Sequence, residues 1–314
     1  MKAAYLVSYG QPGSLQYGEM PEPVIKDNNI LVGVKAVSVN PVDWKIRQGI
    51  LKLIQGSKFP RIIGSDFAGT VVKVGPEITS FKTGDRVYGA IPAFSGKPGA
   101  LAEIAEVSPK SIRVMPEWLS FEEAASLPIA ALTALNGLRR CRVEEGIRLL
   151  VNGATGGVGH FGVQAAKAKG AHVTATCSAP NTELARELGA DEVFGYEGDN
   201  TIRPGVQFDA ILDAWGMMMD REIHRLLKPG GIYASPLFMP WTLFRASWVR
   251  IRFGMKMTSS NMRSRPQDYD ELESLLQQKK LKPFIESKYT LEMSSEAFDK
   301  AEFGKPRGKV IITV

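Results

Sequence analysis

The sequence is poor in the residues that build metal sites and disulfide scaffolds. Among 314 residues there are two cysteines, Cys141 and Cys177, and three histidines, His160, His172 and His224. Two cysteines in a chain of this length exclude a disulfide framework and point to a reducing compartment, so a cytoplasmic protein is expected. A zinc ion takes three or four N, S or O ligands, mostly Cys and His. The first 140 residues contain neither type, and no metal site is expected. No uncharged apolar run reaches the roughly eighteen residues of a transmembrane helix. The opening MKAAYLVSYGQPG lacks the apolar core of a secretory signal. The net charge of +6 is scattered, apart from a loose basic group between Arg245 and Arg265. That pattern gives no footprint for nucleic acid and mildly favours small anionic ligands. Internal repeats, low-complexity segments and any visible Ser-His-Asp or Cys-His arrangement are also missing.

What the chain does have is a change of grammar near Phe121. Residues 1–121 carry short β-like runs at 3–7, 30–39, 69–74, 86–90 and 101–107, punctuated by Gly, Pro and Asn-Asn. This predicts an irregular, mostly antiparallel β-domain. From 122 to 261 strands and helices alternate: strands at 148–152, 172–177, 192–194, 208–213 and 232–235, helices at 158–169, 182–188 and 220–227. Such alternation predicts a parallel sheet with right-handed crossovers, a Rossmann-type doubly wound α/β fold. Residues 262–314 leave that pattern, with helices at 267–278 and 295–303 and strands at 285–289 and 309–314. They are expected to complete the first domain, which would then be discontinuous.

The densest signal is RLLVNGATGGVG at 148–159, running into a helix and then HVTATCS at 172–178. Strand, glycine turn, helix and strand in about thirty residues set a helix N-terminus where a pyrophosphate binds. A literal G-x-G-x-x-G falls at Gly157, Gly159 and Gly162, too late for a turn that must follow the strand directly. The register expected is Ala154 at the tight turn, Gly156 under the pyrophosphate and Gly159 at the helix–strand contact, with Gly153 and Gly157 as slack. NAD-preferring sites place Asp or Glu at the end of the next strand. Here Thr176-Cys177-Ser178-Ala179 has no carboxylate, and Ser178 can donate to a 2′-phosphate. NADPH is expected, with NADH left open, because no Lys or Arg stands at that strand end to pair with the phosphate.

Eight motifs occur in order: NPVDWK at 40–45, GSDFAG at 64–69, GDRVYG at 84–89, LPIAALTA at 127–134, GATGGVG at 153–159, LGAD at 188–191, LKPGG at 227–231 and GKVIITV at 308–314. Together they resemble the medium-chain dehydrogenase/reductase superfamily, in its zinc-independent quinone oxidoreductase and enone reductase branch. The resemblance implies a discontinuous, mostly β GroES-like catalytic domain beside the Rossmann domain, and often a homodimer. Zinc-bearing members carry Cys where this chain has Asn40 or Pro41, and Gly-His-Glu where it has Gly64-Ser65-Asp66. The resemblance also implies that Asn40 contacts the nicotinamide end of the coenzyme and that Thr133 approaches its ribose or amide. Gly156, Gly157 and Val158 would offer backbone N–H groups to the pyrophosphate. Ser178 and Tyr196 would meet the 2′-phosphate, and Leu237 and Phe238 would flank the nicotinamide.

The implied activity is hydride transfer from NADPH to a quinone or an α,β-unsaturated carbonyl. A donor aimed at the carbonyl oxygen would lower the barrier. Lys45 matches the lysine that faces the substrate carbonyl in enone reductases, the alternative being an exposed loop lysine. Trp44 and Tyr88 offer rings for a flat acceptor. Two other functions stay open: a coenzyme-binding scaffold or redox sensor without turnover, and a reductase of thioester-linked enoyl substrates. The stretch 236–255, PLFMPWTLFRASWVRIRFGM, reads as an amphipathic helix. It suits a core helix, a lid over an apolar substrate, a dimer contact or an interfacial membrane helix.

Overall fold

A computed structural model describes residues 1–10, 12–92, 96–196, 201–236, 254–262 and 265–314. The chain forms two units, one from Met1–Ile129 with Ile285–Val314 and one from Ala130–Phe284. The sequence pattern put the changes at 121/122 and 261/262. The two units divide instead at 129/130 and 284/285. Near the first of these points the helix starting at Phe121 packs on the strands Ile30–Val39 and Asp66–Val74, while Asp66 accepts a hydrogen bond from the Ile129 N–H.

In the first unit the elements are β1 (Lys2–Leu6), β2 (Leu15–Glu19), β3 (Ile30–Val39), α1 (Pro41–Arg47), α2 (Lys52–Gln55), β4 (Arg61–Ile62), β5 (Asp66–Val74), β6 (Arg86–Ala90), β7 (Ile104–Val107), β8 (Ile112–Val114) and α3 (Phe121–Ser126). β2, β1 and β4 form a small sheet. β3 is the long central strand of the larger one, and its run of Val and Ile at alternate positions buries Ile30, Val32 and Val34. Its last four residues are buried on both faces, because β16 and β5 pair with its edges and α3 packs against it. Ser120 caps α3 by accepting from the Glu123 N–H, while Glu123 accepts from the Ser120 N–H. Such a capping box is worth about 1 kcal/mol.

The second unit follows through α4 (Pro128–Arg140), β9 (Arg148–Asn152), α5 (Gly159–Ala168), β10 (His172–Cys177), α6 (Thr182–Glu187), β11 (Glu192–Gly195), β12 (Phe208–Asp213), α7 (Asp220–Leu226), β13 (Leu227–Ser235), β14 (Lys256–Ser259) and α8 (Pro266–Gln277). Its six strands are all parallel, in the order β11-β10-β9-β12-β13-β14. Ala175, Val151 and Leu212 lie in register across β10, β9 and β12. The chain winds one way from β9 to β11, then returns to the other side at β12. That reversal opens a crevice at the carboxyl ends of β9 and β12, where doubly wound sheets bind their ligands. α5 presents a broad buried face. Phe161, Val163, Ala165 and Ala166 are all fully buried, and truncating Phe161 to Ala would cost about 3–5 kcal/mol.

β15 (Ile285–Thr290), α9 (Ser294–Phe303) and β16 (Lys309–Thr313) return to the first unit. β16 pairs antiparallel with β3, setting Val310 opposite Val39 and Ile312 opposite Val37. Arg47 of α1 is buried and reaches Asp299 at 3.1 Å and Glu302 on α9. The described residues of 236–255 are Pro236, Gly254 and Met255, so the helix expected there lies outside the described residues.

Candidate active site

The glycine turn begins where β9 ends. Gly153 has φ of 76°, a conformation that L side chains resist. The left-handed position of the turn is therefore Gly153, not Ala154, whose side chain is buried under it. Both residues donate their N–H to the Thr176 carbonyl, at 3.1 and 3.0 Å. Gly159 sits against the turn itself: a Cβ there would run into the Gly153 carbonyl and come within 2.8 Å of the Ala154 Cα. A Cβ on Gly156 would meet nothing nearer than the Gly153 oxygen at 3.5 Å. Among the described residues, the N–H groups of Gly157 and Val158 have no hydrogen-bond acceptor. Gly162 belongs to a different contact, since a Cβ there would lie 2.7 Å from Leu212 Cδ2 on β12.

His160, in the first turn of α5, is buried. Its Nδ1 lies 2.9 Å from the Gly156 carbonyl, and its Nε2 accepts the Phe284 N–H at 3.3 Å. It thus anchors the turn from behind.

Sequence reasoning passed over a polar network under this crevice. Thr176 donates to Asn152 Oδ1 at 2.7 Å, Asn152 Nδ2 to Asp213 Oδ1 at 2.7 Å, and the Tyr233 hydroxyl to Asp213 Oδ2 at 2.7 Å. Asp213 also accepts the N–H groups of Gly216 and Met218, both at 2.9 Å. Four neighbouring strands are thereby linked at their carboxyl ends. The available signal was a polar residue closing each apolar strand: Asn152, Thr176 and Asp213.

Ser178 is exposed, just beyond β10, and accepts from Asn181 Nδ2 at 2.9 Å, which leaves its hydroxyl proton free to donate outward. The Tyr196 hydroxyl reaches the Thr176 carbonyl at 3.4 Å, and its ring lies 6.2 Å from the Trp215 ring. Burial, with Cys177 and Asp213 nearby, pushes the Tyr196 phenol up to about 12. Trp215 in turn covers Gly153, its Cβ 3.3 Å from where a Gly153 Cβ would stand. So Gly153, Tyr196 and Trp215 are brought together, with Ser178 on the strand end beside them. Thr133 is buried within α4. Leu237 and Phe238 lie outside the described residues.

In the first unit, Asn40 is the N-cap residue of α1 and Pro41 its first residue. These are favoured positions for both types. Asp43, in the first turn, accepts the Asn40 N–H at 2.8 Å and the Ser65 hydroxyl at 2.6 Å. The Asn40 side chain is 1% exposed and wholly engaged. Its amide donates to Asp66 at 2.9 Å and to the Ser38 carbonyl at 3.1 Å, and its oxygen accepts from Lys309 at 2.6 Å. Burial raises Asp43 to about 6, against the opposing pull of its Ser65 and Asn40 hydrogen bonds. Asp66 is pushed up to about 7, again by burial. Lys45 is half-buried, and its ammonium has no hydrogen-bond or ion-pair partner among the described residues. Burial alone lowers its pKa. Trp44 packs partly buried on the core of this unit. Tyr88 is fully buried in it, because β6 lies between β5 and β8, so its ring is not available to an acceptor as expected.

Residues 26–117 match the alcohol dehydrogenase GroES-like domain family, and 188–312 the zinc-binding dehydrogenase family. A chloroplastic quinone-oxidoreductase homolog of Spinacia oleracea is 33% identical over 96% of this chain and 95% of its own. The chain belongs to the medium-chain dehydrogenase/reductase superfamily, in its quinone oxidoreductase branch. The mitochondrial NAD(P)H oxidoreductase RTN4IP1 of Bos taurus is 32% identical, over 100% of this chain and 89% of its own. Among solved structures, the quinone oxidoreductase from Coxiella burnetii superposes with a TM-score of 0.92 at 31% identity, covering 100% of this chain and 99% of that one.

Members of this superfamily use NAD(P)H, and the second unit suits a dinucleotide. Two orphaned N–H donors at the start of a helix, above an open glycine, are the donor set a pyrophosphate takes. The zinc for which the second family is named fits less well. At Asn40, Ser65 and Asp66 the ligand atoms are an amide, a hydroxyl and one carboxylate, each already engaged, and the Lys309 ammonium lies among them. That is not a tetrahedral N/S site. Among the described residues no group of His, Cys, Asp or Glu is placed to hold a metal, and none of the helices is long and apolar enough to cross a membrane.

Proposed function

We propose that this chain is an NADPH-dependent reductase acting on quinones or α,β-unsaturated carbonyls. The observation that carries this reading is Lys45: a half-buried ammonium left without a partner, on a helix whose start is anchored by four hydrogen bonds. A cation held that way is poised for an incoming acceptor. NADPH, when bound, supplies the hydride. Gly157 and Val158 hold the pyrophosphate through their N–H groups, and Gly156 lets it approach. Ser178 and Tyr196 meet the 2′-phosphate. Lys45 donates to the carbonyl oxygen on which negative charge builds, a contribution worth roughly 10²–10³ in rate for one well-placed donor. Water supplies the final proton.

The missing carboxylate after β10 supports NADPH over NADH, because an acid there would repel the 2′-phosphate. Two free, buried cysteines suit the cytoplasm or another reducing compartment. A homodimer is the assembly we propose from the branch.

Oxidation of NADPH and NADH, followed by absorbance with a panel of quinones, 2-alkenals and cyclic enones, tests the reading. Turnover with NADPH and at least one of these acceptors is expected. Tight coenzyme binding with no turnover on any acceptor would overturn it in favour of a scaffold or redox sensor. Turnover confined to enoyl thioesters would shift the substrate class.

A further inference from the structure

Lys309 is 3% exposed, yet it carries an ammonium into a site with two carboxylates, Asp43 and Asp66, that are themselves fully buried. Lysines are almost never this buried unless paired. Its Nζ lies 2.6 Å from Asn40 Oδ1, and the two carboxylates act on it electrostatically. The reaction proposed above uses this cluster only as the anchor of a helix start and gives the Lys309 charge no role.

We infer that Lys309 is an internal cation that neutralises the Asp43/Asp66 pair and, through Asn40, a positioning residue for the helix that carries Lys45. The first half stands on the cluster alone, and the second rests on the proposed reductase function.

Two carboxylates removed from water cannot both ionise without a cation beside them. Other charges on the surrounding elements are committed elsewhere. Arg47 of α1 pairs with Asp299 and Glu302 of α9, Glu286 of β15 with Lys300 and Arg307, and Glu122 of α3 with Lys288. Lys309 alone among these cations faces the pair.

The connectivity then leads to α1. A lysine ammonium only donates, so Lys309 fixes which end of the Asn40 amide is the oxygen. That turns the Asn40 NH₂ toward Asp66 and Ser38. The Asn40 N–H is held by Asp43, whose other oxygen is held by Ser65. Asn40 starts the seven-residue helix that includes Lys45. At the positions where zinc-bearing members of the superfamily hold a dication, this chain thus carries a single positive charge from a strand 269 residues away from Asn40.

The test is a double-mutant cycle read by melting temperature. Lys309→Met removes the charge and keeps most of the stem. It is expected to lower Tm by on the order of 10 °C near about pH 8, as loss of one partner of a buried pair does. The deficit should shrink near about pH 5, where the orphaned carboxylates take up protons. Adding Asp66→Asn should restore much of the loss and weaken its dependence on pH. An equal loss at both pH values, unrelieved by Asp66→Asn, would reduce Lys309 to packing. If K309M does not fold, K309M/D66N decides: a folded double variant supports the inference, and an unfolded one overturns it.

The positioning role is read separately with a good acceptor. K309M should lower kcat at least about tenfold with KM for NADPH little changed, because the coenzyme phosphate site is untouched, and K309R should recover part of the rate. A folded K309M with wild-type kcat would overturn the positioning role. If the wild-type chain turns over no acceptor, the reductase reading fails, while the melting cycle still decides the charge role.

Discussion

Asn152 Nδ2 donates to Asp213 Oδ1 at 2.7 Å, joining the ends of β9 and β12 at the point where the winding of the sheet reverses. Asp213 satisfies four donors at once: this amide, the Tyr233 hydroxyl and two backbone N–H groups. Asp213→Ala would strand all four in the interior and is expected to cost about 3–5 kcal/mol. Asp213→Asn, which keeps one acceptor oxygen, should cost less than half as much. Urea unfolding at unchanged m-value measures both. A loss below about 1 kcal/mol for the alanine variant would show that the network is not under load.

The glycine turn yields a contrast between two neighbours. Gly159→Ala pushes a Cβ into backbone that has nowhere to go, so both the fold of the turn and coenzyme affinity should suffer. Gly156→Ala meets ordinary space. It should melt within about 1–2 °C of the wild type yet bind NADPH at least about tenfold more weakly, because the methyl stands where the pyrophosphate must approach. Calorimetric titration and thermal melts separate the two. Equal NADPH affinity for G156A and wild type would return the pyrophosphate position to the Gly157–Gly162 register.

For Lys45 the sign of the pH dependence follows from burial. Its pKa lies below the ordinary 10.5, and only the protonated form can donate to a carbonyl oxygen. The rate should therefore be full at neutral pH and fall as pH rises through that lowered value, before a freely exposed lysine would titrate. Lys45→Ala should reduce kcat by roughly 10²-fold and abolish this alkaline limb. A pH–rate profile of both proteins checks it. An unchanged limb in the variant would assign the titration to another group.

Stability should also carry an unusual acid signature. Burial raises Asp43 to about 6 and Asp66 to about 7, above the ordinary 3.8. Between those values the folded state holds protons the unfolded chain has released. The contribution of these two groups is thus full below about pH 4 and is lost as pH rises through about 6 and 7. Asp191, Asp209 and Asp268 run the other way. Their partial burial is outweighed by Lys167, Lys228 and the Arg265–Arg139 pair, so their pKa values are lowered and their contribution is lost as pH falls. Asp66→Asn should flatten the decline between about pH 5 and 8, which a series of melts across pH would show. An identical slope in the variant would exclude Asp66 as its source.

How far the sequence spoke depended on how local each signal was. β9, β10 and β12 are short apolar runs bounded by turn residues, and their limits were legible to within a residue. β14, KMTS, has no apolar alternation. It is a strand because β13 offers it an open edge, which no local pattern records. Gly159 was expected at the helix–strand contact, but it packs against the turn at the Gly153 carbonyl, and Gly162 makes the contact with β12. Gly153 was not given the left-handed position, because the four glycines of that turn are interchangeable until the backbone is built. Asn40 was visible as part of a motif, but its partner Lys309 is 269 residues away, beyond any periodicity.

The strand that carries Lys309 has one more consequence, for the order of events during synthesis. The second unit is a single stretch, Ala130–Phe284, free to collapse as soon as it emerges. The first is interrupted, and its buried acids wait for a countercharge that the ribosome releases only after the whole of the other unit. Before β16 pairs with β3, the Lys309 cation that faces Asp43 and Asp66 in the finished fold is not in place. In a chain that emerges from its N-terminus, the half that begins first is therefore the half that is finished last.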